Sequence, residues 1–183
     1  MVGIIKLGNI NKKFNQELFD SNDSLARIMV TKYIESQRKL FVRDNPNKYG
    51  IDLYVYNIPE IDEKRGSPIK EPIYAIEVEI KRVWNGPKLP WNSVQLPYRK
   101  RKYAEQEVVP CEYWILNNQL THAIIIHEKE LLDNRLAHVQ NKYVSEGEYF
   151  FQVPLEACNI IELSGTSSST GADSVTGELN ETR

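Results

Sequence analysis

Glu79 and Lys81 stand two residues apart in the segment Tyr74-Ala75-Ile76-Glu77-Val78-Glu79-Ile80-Lys81. Strand alternation puts Tyr74, Ile76, Val78 and Ile80 on one face and Ala75, Glu77, Glu79 and Lys81 on the other. A carboxylate and an ammonium then project side by side. The carboxylate can hold a hard cation such as magnesium through oxygen, and the ammonium can orient water or offset charge developing on a phosphoryl group. A second carboxylate has to reach the same ion from another strand. Asp52, at the start of the apolar run Ile51–Tyr56, is the candidate. The expected reacting centre is therefore Asp52, Glu79 and Lys81, with Asp52 and Glu79 as metal ligands. An ion held there can generate hydroxide and neutralise a leaving oxygen. Glu77 shares the face of Glu79; it either extends the metal set or forms a polar rim. The competing reading of the whole pattern is a solvated strand face, where an acid, a spacer and a lysine carry no chemistry.

The segment from Lys81 to Ala104 holds Lys81, Arg82, Lys88, Arg99, Lys100, Arg101 and Lys102 and no acid. Trp84, Trp91, Tyr98 and Tyr103 are interleaved with these cations. Phosphate backbones need such Lys and Arg groups, and aromatic rings can stack on unpaired bases. Arg82, Lys88, Gln95, Arg99, Lys100 and Lys102 are the candidate DNA-binding residues. Arg99 and Lys102, three apart, share one side of a helix, and Lys100 is a candidate phosphate contact. The bland alternative is a solvated basic helix. His122, His127 and His138 share no metal-ligand spacing, and the sequence has no glycine-rich phosphate loop, nucleophile elbow or Cys-His pair.

Gly50-Ile51-Asp52, followed after a hairpin-length gap by Glu77-Val78-Glu79-Ile80-Lys81, resembles the signature of the PD-(D/E)xK nucleases. This superfamily includes restriction endonucleases and archaeal-type Holliday junction resolvases. The resemblance covers roughly residues 24–116. It aligns Asp52 with the first acid, Glu79 with the second and Lys81 with the lysine; Ile51 stands where the motif's name has proline. It implies a restriction-endonuclease-like core, a mixed sheet flanked by helices with a magnesium site at its edge. Members often add a carboxylate from the first helix, for which Glu35 is the candidate and Glu17 a weaker one. Many also place a polar helix residue near the metal, a role that Gln95 would take. Manganese would be a substitute for magnesium, and a phage or mobile-element setting would suit a small stand-alone nuclease.

The elements that must position these groups follow from local pattern. Asp23-Ser24 reads as a cap before a helix carrying Leu25, Ile28, Met29 and Tyr33 and running to about Leu40 or Phe41. Asn45–Gly50 is a turn cluster, Ile51–Tyr56 a strand, and Pro59–Pro72 an exposed loop. Trp84–Trp91 is too rich in Gly and Pro for a helix. Pro97 suits the opening of a helix from Tyr98 to about Glu107. Glu112–Leu116 and His122–Ile126 form a hairpin around Asn117-Asn118. Lys129 to about Val139 reads as a helix, and Tyr149–Val153 as a last strand. Residues 164–183 are Ser, Thr, Gly, Asp and Glu with almost no large apolar side chain, which predicts a disordered tail.

The fold class expected is therefore α/β: a mixed central sheet flanked by helices in one domain, residues 1–163, followed by the tail. The 183 residues suffice for a hydrophobic core, and a net charge of −2 excludes bulk electrostatic attraction to nucleic acid, so local charge must carry it. Two cysteines, Cys111 and Cys158, at no metal-like spacing argue against a disulfide framework and for a reducing compartment. No signal-like start and no membrane-length apolar run is present, so the expected location is cytoplasmic with no membrane partner. The expected activity is a magnesium-dependent deoxyribonuclease that hydrolyses phosphodiester bonds in duplex or branched DNA, without a small-molecule cofactor. A homodimer would supply two active sites for cutting both strands. The alternatives are a catalytically inactive DNA-binding module of the same fold and a protein-interaction domain.

Overall fold

A computed structural model describes residues 16–47, 49–57, 71–106, 109–141 and 144–163. The chain runs through α1 (Gln16–Tyr33), a π-helical turn (Ile34–Arg38), β1 (Phe41–Asp44), β2 (Leu53–Tyr56), β3 (Tyr74–Lys81), β4 (Ser93–Pro97), a 3-10 turn (Tyr98–Lys100) and α2 (Arg101–Gln106). It continues through β5 (Cys111–Asn117), β6 (His122–His127), α3 (Glu128–Leu132), β7 (Arg135–Asn141), β8 (Val144–Pro154), a 3-10 turn (Leu155–Ala157) and β9 (Asn159–Glu162). Six strands form the central sheet in the order β1-β2-β3-β5-β6-β9, and β4-β8-β7 form a second, smaller sheet. Among the described residues only β3 and β5 pair in parallel; the other pairs are antiparallel. The chain is thus mixed α/β, as its pattern predicted, with a mostly antiparallel central sheet.

β3 follows the predicted alternation. Tyr74, Ile76, Val78 and Ile80 join the cluster under α1, where Ala26, Val30 and Ile34 pack on Leu53, Val55, Trp114 and Ile125. Ala75 faces the other way, into a cluster where Ile51, Tyr113, Ile115 and Ile126 meet Trp84, Leu96, Phe151 and Val153. The small sheet therefore closes one face of the large sheet and α1 the other. These two layers form the buried core among the described residues, and burial of apolar surface is the dominant favourable term in folding.

Several local expectations give way to tertiary packing. α1 begins at Gln16, so Asp23-Ser24 lies inside the helix and not at its start. Its buried stripe is Ala26 and Val30, continued by Ile34 in the π-helical turn, whereas Leu25 and Ile28 are exposed. The helix ends earlier than Leu40: a π-helical turn and Lys39, with φ +55°, reverse the chain into β1, a strand the pattern hid in the helix end. The expected helix Lys129–Val139 is replaced by the five-residue α3 and by β7. Beyond Asp133-Asn134, residues 135–139 pair with 148–152 of β8. Gln95 lies on β4, not on a helix, because Ser93–Pro97 pairs with Phe150–Pro154. Pro97 caps the following 3-10 turn rather than opening α2. β9 adds an edge strand that the sequence did not reveal. Most of the Pro59–Pro72 loop and the Ser-rich tail lie outside the described residues. Among the described residues no helix is long and apolar enough to cross a membrane.

A candidate metal and phosphate cleft

The cleft arises because β2 and β3 part company. Their pairing covers only Leu53–Val55 against Tyr74–Ile76, while on its other side β3 stays paired with β5 as far as Lys81. Beyond Ile76 this edge of β3 is unpaired by any described strand and faces the strand-entry segment Gly50-Ile51-Asp52. Asp52 bridges the gap: its Oδ2 accepts the Val78 N–H at 2.8 Å, and Arg27 from α1 donates to its Oδ1 at 3.5 Å.

The turn before β2 fixes this approach. Asn45 N–H donates to the Asp52 carbonyl, and the Asn45 and Asn47 side chains accept the N–H groups of Asn47 and Tyr49. A Cβ at Gly50 would lie 2.5 Å from Asn45 Nδ2 and 3.3 Å from the Asn47 carbonyl, so a side chain there would have to push the Asn45 amide aside. At the far end of β3, the Asn117 amide donates to Thr121 Oγ1 and the Gly86 carbonyl and accepts from Thr121 and His122 N–H, which locks the β5–β6 turn to the loop after β3.

Glu77 and Glu79 converge on one cation. Lys100 Nζ sits 3.0 Å from Glu77 Oε1 and 3.0 Å from Glu79 Oε2. Lys81 Nζ lies 3.3 Å from Glu79 Oε1 and also donates to the Gln95 carbonyl at 3.4 Å. Lys100 is delivered by the 3-10 turn after Pro97, whose last carbonyl accepts the hydroxyl of buried Tyr113 at 2.9 Å. The electrostatics follow from this geometry. Burial pushes the Glu77 carboxyl up to about 7 against the pull of Lys100, while Asp52 and Glu79 add to the rise. Burial acts on Glu79 in the same sense, but Lys100 and Lys81 together outweigh it and hold Glu79 below the usual range. Burial would weaken the charge of Lys100, but Glu79 and Glu77 overcome this and raise it. Tyr103 at the cleft wall is pushed up to about 12, by burial first and then by the charge of Glu77, so it stays a neutral donor.

The cleft has a volume of about 490 Å³ and brings together Asp52, Glu77, Glu79, Arg82, Arg99, Lys100 and Lys102. Lys81 stands behind Glu79, at the boundary with a second hollow. Three sequence candidates are elsewhere. Glu35 is exposed in the π-helical turn at the opposite end of α1 from the cleft; the described helix carboxylate on the cleft wall is Asp23. Lys88 is exposed in the loop after β3 and does not line the cleft. Gln95 serves through its backbone carbonyl. The side chain of Glu17 lies outside those described. The role of Lys100 between the two glutamates went unread in the sequence, where it was one cation in a run of four.

Two carboxylates that gather one ammonium from both sides have the donor chemistry for a hard cation, which takes one or two carboxylates and fills its shell with other oxygens. Among the described residues no three His, Cys, Asp or Glu side chains already form a metal-binding group; Asp52 is turned to Val78 and Arg27. No protein-family model, curated protein or solved structure matches this chain.

Proposed function

We propose that this chain is a divalent-metal-dependent DNA endonuclease of the PD-(D/E)xK kind, with a restriction-endonuclease-like core. The observation that carries the reading is the convergence of Glu77 and Glu79 on a single cation, beside Asp52 and Lys81, in a cleft walled by Arg82, Arg99 and Lys102. Glu77 and Glu79 would hold magnesium, or manganese in its place, with Asp52 as the third acid after a rotation away from Arg27. The bound ion would polarise a phosphoryl oxygen and lower the pKa of a bound water.

The protein's own groups have separable roles. Lys81, paired with Glu79, is placed to orient the attacking water or to offset charge on the phosphoryl oxygens. Arg82 and Lys102 are exposed on the cleft wall and suit phosphate contacts. Arg99 is tied to Glu148 at 2.8 Å, so its contribution to phosphate binding requires exchange of that exposed pair. Lys100 neutralises the carboxylates in the resting cleft and must share or yield that position when a divalent ion enters.

A second reading, a DNA-binding module without catalysis, draws on the same Lys100: the glutamates have a partner and do not need a metal to be satisfied. One experiment separates the readings. Supercoiled plasmid, linear duplex and a four-way junction are incubated with magnesium and wild type, Asp52→Ala or Lys81→Ala. Cleavage by wild type alone supports the nuclease and its centre. DNA binding without cleavage supports the module, and cleavage retained by both variants removes this site from the chemistry.

A further inference from the structure

A second hollow of about 490 Å³ lies on the other side of the Glu79–Lys81 pair, between the end of β3, β4 and the central sheet. Its walls include Trp84, Trp91, Ile115 and Ile124, and Lys81 and Gln95 stand where it borders the carboxylate cleft. The volume is in the range of about 300–1,000 Å³ usual for small-ligand sites. Trp84 is fully buried, and its indole N–H is the one buried side-chain polar group among the described residues with no hydrogen-bond partner. An orphaned buried donor is costly and calls for an acceptor.

We propose that this hollow receives the base of one unpaired nucleotide of the DNA strand whose phosphate occupies the cleft. A nucleobase is flat, has a π-face for the Trp91 indole, and carries ring and carbonyl acceptors for indole and amide donors. A base and its phosphate are joined through one sugar, and the two hollows are neighbours: Glu79 lines the cleft, its ion-pair partner Lys81 lines the second hollow. A base in a regular stack cannot enter such a recess; it must first leave the duplex, which is cheapest where it is already unpaired. The proposal therefore deepens the nuclease reading and rests on its nucleic-acid part: the preferred substrate carries an unpaired nucleotide beside the reacting phosphate.

The test measures affinity, in EDTA so that nothing is cut, for a fully paired 20-base-pair duplex and for the same duplex with one extra unpaired 5-iododeoxyuridine. Wild type is expected to bind the bulged duplex about tenfold more tightly, the value of one stacked base. Trp91→Phe should keep that ratio and Trp91→Ala should bring it near one. Photo-cross-linking of the iodinated base to the wild-type protein, which needs no variant, should mark Trp84 or Trp91. Equal affinity for the two duplexes, failure to bind either, or a cross-link outside the hollow overturns the proposal. Magnesium-dependent cleavage is scored separately. A preference and cross-link without cleavage would sink the nuclease and leave the hollow assigned; cleavage without preference would do the reverse.

Discussion

At Glu77, burial and charge pull in opposite directions, and the outcome sets a pH dependence. Its carboxyl is pushed up to about 7 in the folded protein, whereas an ordinary glutamate titrates at 4.5. Between these values the folded state holds a proton that the unfolded chain has released, so stability falls as pH rises through this window. The loss attributable to Glu77 is on the order of 2 to 3 kcal/mol between pH 4.5 and pH 8. Glu79, held low by Lys100 and Lys81, acts in the opposite sense: its stabilisation is present above the unfolded value and is lost as pH falls through its folded one. A series of denaturation curves should show the Glu77 slope in wild type and not in Glu77→Gln. Lys100 is the other pivot. Lys100→Met takes the cation from Glu77 and leaves Glu79 with Lys81 alone, two largely covered carboxylates side by side, which should cost about 3 kcal/mol. Millimolar magnesium should then raise the melting temperature of Lys100→Met by more than that of wild type. Equal shifts would show that Glu77 and Glu79 do not hold the ion.

The elements hold this centre through a few charged ties at their ends. Arg38, in the π-helical turn after α1, donates through Nη1 to both oxygens of buried Glu112 on β5, at 3.1 and 3.0 Å, and to the Tyr74 hydroxyl on β3 at 2.8 Å. Glu112 also accepts the Trp114 indole N–H at 2.8 Å. One guanidinium thus fastens the end of the helix to the two strands that frame the site. Arg38→Ala leaves the buried Glu112 charge with the Trp114 indole and, at 3.6 Å, the His127 ring, and a loss of about 3 kcal/mol is expected in urea unfolding. Changing Glu112 to Gln in the same chain should recover part of it, because the stranded charge is then gone. No recovery would mean that Arg38 acts by packing on the Tyr74 and Trp114 rings, which lie 5.6 and 5.3 Å from its guanidinium carbon.

For the whole molecule, the charge pattern governs how DNA would be held. The net charge is −2, so attraction must come from the cations around the cleft and not from the protein's overall field. With Arg82, Arg99 and Lys102 each neutralising one phosphate, log affinity should fall against log salt with a slope of about −3. Titration by fluorescence anisotropy measures it, and Lys102→Ala should reduce the slope by about one. A slope near zero would point away from the phosphate backbone as the partner.

The sequence by itself determined β3 and its two faces, because strand alternation is a property of neighbours two residues apart and needs no distant partner. It also determined the β5–β6 hairpin, whose turn is local, and the mixed α/β class. It named Asp52, Glu77, Glu79 and Lys81 as one group, and the fold gathers them around the edge of β3 beyond Ile76. The second sheet was hidden, since β4 and β7 are strands only because β8 pairs with both, and strand preference depends on such contacts more than on intrinsic propensity. Glu35 was misplaced because helical spacing gives a side of α1 and not a position along it. The place of Lys100 was decided by the tertiary structure alone. It follows from the turn after Pro97 and the hydrogen bond to Tyr113, contacts that join segments separate in sequence and bring one ammonium between two glutamates on another strand.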